Sequence, residues 1–186
     1  MINQKAGYLL RKKPTIKQVL AKKEKEDEEY KDLLKDLFNN KMHKRLKYTL
    51  IEAVKRGIAW WQIYIDENGD LKARLRYATR IIPLWQDEEH EILDAIIMTY
   101  EVEVYTSETE REKKTKVEYW DLEGVRYYIY DGFTLQEDVE EVDKRSKLVI
   151  GQDGEGTSIV AHFELDGKPQ RWKKIPFIYF KYNGDE

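Results

Sequence analysis

The spacing of apolar positions changes at Gly57. Upstream, Tyr30, Leu33, Leu34, Leu37 and Phe38 recur three and four residues apart, which predicts an amphipathic helix, and the Asn39-Asn40 pair reads as its stop. A second helix is predicted over KMHKRLKYTLIEAVKRG, with Met42, Leu46, Leu50, Ile51 and Val54 as its apolar stripe. Lys55 and Arg56 suit the negative end of its dipole, and Gly57 sits where a left-handed cap belongs. Before these, GYLLRKKPTI reads as the end of an earlier helix that becomes extended near Pro14, because the residue before proline disfavours the α region. The charged run from Lys22 to Glu29 reads as a solvated helix face or a connector.

Beyond Gly57 the apolar positions alternate. Ile58 to Ile65 reads as a strand, Asn68-Gly69 is a hairpin signal, and Leu71, Ala73, Leu75 and Tyr77 fall on one face of the returning strand, opposite Lys72, Arg74 and Arg76. Further strands are predicted over Arg80 to Trp85, Ile92 to Tyr105, Lys114 to Asp121, Val125 to Asp131, Ile159 to Leu165 and Ile175 to Tyr182. Short polar turns such as DLEG and LDGKP imply an antiparallel meander. From Thr134 to Ser158 the pattern is weak: EDVEEVDKR is charged, and GQDGEGTS reads as a flexible loop. The fold class expected is α+β, with N-terminal amphipathic helices packed on a mostly antiparallel meander sheet.

Composition narrows the choice of function. A chain of 186 residues supports one substantial core, so one domain is expected, with a helical part at 1–57 and a β-rich part at 58–186. Zero cysteines remove disulfides, thiolate zinc sites and cysteine nucleophiles. The sequence contains neither a signal-peptide h-region nor an apolar run long enough to span a bilayer, so no membrane association is expected. The net charge of −3 conceals an asymmetry: 16 basic against 8 acidic residues up to Gly57, and 17 against 28 after it. Opposite signs suggest attraction within the fold or head to tail between copies, while lysines on solvated helix faces account for the pattern equally well.

Candidate chemistry is sparse. LVIGQDGEGTS lacks the Gly-Lys-Ser/Thr ending of a phosphate-binding loop and reads as a surface turn. Adjacent residues of DEEHE, Asp87 to Glu91, point in different directions, and no second histidine falls at ligand spacing. His43, His90 and His162 lie far apart, with no nucleophile motif beside any of them. No catalytic residue, metal ligand or cofactor is therefore expected. Aromatic residues such as Trp120, Tyr127, Tyr128 and Tyr130 suit base stacking, but the acidic balance of the strand half repels phosphate.

The order of segments nevertheless forms a pattern: GYLLRKKPTI, an amphipathic helix, AVKRGIAWWQIYIDENGDLKARLRYATRIIPLW, ILDAIIMTYEVEVY and GKPQRWKKIPFIYFKYNGDE. It resembles the portal proteins of tailed bacteriophages, in the family found in phages and prophages of Gram-positive bacteria. The positions that carry the resemblance are Gly7, Tyr8, Leu9, Leu10, Pro14, Gly57, Trp61, Asn68, Gly69, Ile82, Pro83, Ile175, Pro176, Phe177 and Asn183. Arg11 stands where that family usually has glycine, Ala78-Thr79 replaces aspartate-proline, and Tyr182-Asn183 replaces paired asparagines.

The resemblance implies a non-catalytic subunit of the head-tail connector, in a ring of about twelve copies at one capsid vertex of the virion, assembled in the host cytoplasm. It implies as partners the terminase, scaffold or major capsid protein and head-completion proteins, with duplex DNA passing through the ring without tight binding. Residues 1–186 would form mainly the outer wing, truncated before the stem. Two other classes stay open: a metal-dependent, nuclease-like phage or bacterial enzyme, and an unrelated sheet-based interaction module. In WWQIYI, alternation places Trp61 with Ile63 and Ile65 on the core side, and Trp60 on a partly covered face.

Overall fold

The computed structural model describes residues 4, 7, 8, 10–12, 28, 30, 32, 39–66, 68–105 and 111–182. The expectations for Leu9, Pro14, Leu33, Leu34, Leu37, Phe38 and Asn183 lie outside the described residues. Gln4, Gly7, Tyr8, Glu28, Tyr30 and Asp32 are helical. The fold is α+β with mostly antiparallel sheet. Its contacts define two compact units, one of residues 1–60 and 179–186, the other of residues 61–178.

In the first unit, helix α1 (Asn40–Arg56) begins at Asn39, whose side chain accepts hydrogen bonds from the backbone N–H groups of Lys41 and Met42. Asn39 therefore opens this helix instead of serving only as a stop for the preceding one. An asparagine side chain satisfies N–H groups that have no partner within the first turn. Asn39→Ala is expected to destabilise the protein by about 1 kcal/mol in urea unfolding. The other end closes at Gly57, left-handed at φ 81°, whose N–H donates to the Ala53 carbonyl.

Strand β1 (Ile58–Ile65) follows directly and lies at the centre of a three-stranded sheet of order β12-β1-β2, with β2 spanning Leu71–Arg76 and β12 Phe177–Lys181. Trp61 is 8% exposed and Trp60 only 1%, so both faces of β1 are covered at these positions, which overturns the expectation of a partly covered face for Trp60. The Trp60 ring packs at 5.7 Å from that of Tyr179. Strand β2, at the sheet edge, departs from the expected alternation. Leu71 is 60% exposed, whereas Arg76 is drawn inward and donates through Nε to Gln62 at 2.8 Å.

The large sheet of the second unit has seven strands: β3 (Ile81–Trp85), β4 (Leu93–Tyr105), β5 (Arg111–Trp120), β6 (Val125–Tyr130), β7 (Leu135–Glu137), β8 (Val149–Gln152) and β9 (Ser158–Val160). Strands β3 to β6 form the expected meander. The order then runs β6-β9-β8, with β7 also pairing with β6. Register places Ile96, Met98 and Tyr100 opposite Trp120, Glu118 and Lys116, and Val125 and Tyr127 opposite Trp120 and Glu118. These side chains share one face, over which helix α2 (Val139–Lys144) lays Val142.

The segment 134–158 is thus more regular than its sequence suggests. GQDGEGTS is a tight hairpin turn instead of a loose loop: the Asp153 carboxylate accepts from the N–H groups of Glu155 and Thr157. The strand predicted over Ile159 to Leu165 is two strands in different sheets. Strand β9 ends at Val160, while β10 (Phe163–Leu165) pairs with β11 (Lys168–Gln170). The break comes at His162, whose two ring nitrogens are bound to backbone groups of other segments.

Candidate functional site

The clearest polar assembly lies on the α2-covered face of the large sheet. Glu118 is 8% exposed and accepts from the Tyr100 hydroxyl at 3.0 Å and the Trp120 indole N–H at 2.8 Å. Burial pushes its carboxyl above the ordinary range, against those two hydrogen bonds and the fields of Arg76 and Arg145. Next to it in the same row of β5, Lys116 bridges Asp138 at 2.8 Å and Glu141 at 3.2 Å. Burial by itself would lower the lysine's pKa, but its bonds to Asp138 and Glu141 outweigh that and raise it. Asp138 also caps α2 by accepting from the Glu141 N–H. Arg145, just past α2, bonds Glu141 and lies over the Tyr127 ring. Opposite charges and hydrogen bonds thus fasten α2 to the sheet.

A carboxyl whose folded pKa is raised binds its proton more tightly in the folded than in the unfolded chain. Stability from that group is full below the ordinary value of 4.5 and is lost as pH rises through the folded value. Glu118→Gln imitates the protonated acid, because its amide can donate to the Tyr100 oxygen while its carbonyl accepts from Trp120. The variant is expected to melt higher than wild type at neutral pH and to converge with it below the ordinary carboxylate range. Glu118→Ala, which leaves both donors buried without an acceptor, should instead destabilise by about 1–3 kcal/mol.

A second assembly on the opposite face ties two turns together. The Arg126 guanidinium meets Asp121 at 2.7 Å, Glu123 at 2.8 Å and Asp153 at 3.0 Å, and it lies against the Tyr119 ring. Asp121 devotes its other oxygen to the N–H groups of Glu123 and Gly124, as Asp153 does within its own turn. Gly124, at φ 155°, lies so close to the Val160 carbonyl that an added Cβ would collide with it. Beside this, His162 stacks on Trp120 at 5.8 Å. Its Nδ1 accepts from the Trp172 N–H, so Nε2 carries the hydrogen and donates to the Asp121 carbonyl. Burial lowers the pKa of this imidazole, consistent with the neutral tautomer. The histidine holds a structural joint.

The predicted positions do not converge on one site. Gly57 caps α1, while Asn68 and Gly69 form a turn around Asp66, which accepts from the Asn68 and Asp70 N–H groups. Ile82 and Pro83 lie on the edge strand β3, with Ile82 exposed. Ile175 and Phe177 are buried, the latter edge-on to Trp120, and the Pro176 carbonyl accepts from the Ile63 N–H. Trp61 is buried, whereas Tyr8 is exposed. Among the described residues no group of three or more His, Asp or Glu side chains is placed to hold a metal ion. Asp87, in the DEEHE turn, binds the N–H groups of Glu91 and Ile92. Sequence reasoning missed Glu118, Arg126 and Asp138. Their one visible signal is a charged residue at an inward position of an alternating strand or beside a weak helix.

Against the family models of known proteins, the one described as phage portal protein, SPP1 Gp6-like, matches residues 1–186. Comparison with curated proteins gives no match.

Proposed function

The chain belongs to the phage portal protein family, SPP1 Gp6-like, and on that premise we propose that it forms the outer wing of a portal subunit, a non-catalytic part of the ring through which DNA enters and leaves the capsid. The observation that carries this reading is the family match along the full 186 residues. Charged side chains that might suggest chemistry, Glu118, Lys116 and Arg126, are committed to holding strands, turns and α2 together. The ring of about twelve copies, its docking with terminase, scaffold or major capsid and head-completion proteins, and its place at the portal vertex of the virion belong to the same proposal.

An outer wing lies away from the DNA path, and residues after Gly57 carry an excess of acids that repels phosphate. The chain is expected to bind duplex DNA with a dissociation constant above about 1 μM at physiological salt, near the non-specific range. Fluorescence anisotropy checks this, and sub-micromolar binding would contradict it. Placement is tested by electron microscopy of assembled portal particles carrying a label at the exposed turn residue Phe133. Label density at the outer radius supports the wing assignment. Density lining the axial channel overturns it.

A further inference from the structure

We infer that the basic outer face of α1 docks on the acidic β3–β4 turn of a second copy of this chain, head to tail. The inference names a contact for the ring proposed above and rests on that reading for closure of the ring.

Helix α1 carries six basic residues and one acid. The acid, Glu52, is buried and already bound to Arg56 at 2.5 Å. Lys41, Lys44, Arg45, Lys47 and Lys55 are exposed and make no ion pair among the described residues. At 100° per residue, Lys41, Lys44, Lys47 and Lys55 fall on one side, with the exposed ring of Tyr48 among them. The first turn contains no acid and does contain Lys41, which opposes the helix dipole. Among the described residues this positive surface is therefore uncompensated, and it surrounds an aromatic of the kind that anchors interfaces.

The complementary surface is the turn between β3 and β4. Residues 86–94 contain five acids and no lysine or arginine, and Glu88, Glu89, Glu91 and Asp94 are exposed. None of these four makes an ion pair among the described residues. The turn is built firmly: Asp87 accepts from two backbone N–H groups, Gln86 donates to the Ile92 carbonyl, and His90 stacks on Trp85 at 5.4 Å. Its charges are thus presented with little ordering cost on binding. Exposed Ile82, Leu84 and Ile92 on the same hairpin provide apolar surface for an aromatic such as Tyr48. A nucleic acid would match the lysines alone, whereas a second copy matches both patches. Two different patches of one chain make a heterologous contact, which propagates and closes into a ring where its rotation permits.

The test uses two charge-reversed variants of the whole chain, Lys44→Glu with Lys47→Glu, and Glu88→Lys with Glu89→Lys, followed by light scattering. All four residues are exposed, so both variants should keep the wild-type melting curve. Wild type is expected to assemble, and more weakly as ionic strength rises from about 0.1 M to about 1 M and the screening length shrinks from about 10 Å to about 3 Å. Each variant alone should associate at least about tenfold more weakly, since its substitutions bring the net charge of α1 from +5 to +1 or that of residues 86–94 from −5 to −1. An equimolar mixture should recover association in pairs, because the unaltered α1 of one variant meets the unaltered turn of the other. Variants that each form wild-type rings would overturn this contact while leaving the portal reading intact. A wild-type chain that stays monomeric overturns the contact as well. Loss of duplex DNA binding with unchanged assembly in the lysine variant would identify a nucleic acid as the partner and overturn the inference.

Discussion

Trp60→Ala is expected to lower the unfolding free energy by about 3–5 kcal/mol, the usual cost of truncating a buried large aromatic. Trp60 lies in the central strand β1 of its three-stranded sheet, nearly free of solvent and packed beside Tyr179. Removing an indole there forfeits its transfer energy and leaves a cavity that a strand paired on both edges cannot collapse to fill. Tyr48→Ala serves as the contrast, because an exposed aromatic on α1 should change stability by no more than about 0.5 kcal/mol. Urea unfolding of both variants checks the pair. Equal effects would contradict the packing described for β1.

Arg126→Met is expected to cost about 3 kcal/mol, at the lower end of the penalty for breaking a buried ion pair from one side. Asp121 and Asp153 cannot follow the lost guanidinium into water, since each is fixed by two N–H groups of its own turn. Glu123 is largely exposed and can rotate away, which places the estimate at that lower end. The loss should appear locally as well as globally. Amide exchange at Glu155 and Thr157 is expected to accelerate, because Arg126 links their turn to the one at Asp121. Unfolding midpoints within error of wild type, with unchanged exchange, would show that the guanidinium contributes nothing to the joint.

Local signals were legible in the sequence where chemistry acts within a few residues. Gly57 as a left-handed cap, Asn68-Gly69 as a turn and the β3 to β6 meander all follow from short-range rules. The misreadings arise where a distant partner decides. Alternation alone could not show that Tyr179 on the distant strand β12 packs against Trp60, so the sequence suggests more solvent there than the structure has. Ile159 to Leu165 alternates like one strand until His162 is claimed by the Asp121 carbonyl and the Trp172 N–H. Asp138 and Glu141 resemble any solvated acids in EDVEEVDKR, and only the pairing of β5 with β6 brings Lys116 to them. No compact candidate site was legible, and the family positions are spread over caps, turns, edge and core. The family itself was legible from the order of short segments, since that order outlasts change in any one of them.

The most direct test is electron microscopy of the purified protein. Closed rings with a central channel are expected, formed at low micromolar concentration without added DNA. A population of monomers or open chains, with no rings under conditions in which the protein is folded, would contradict the portal reading.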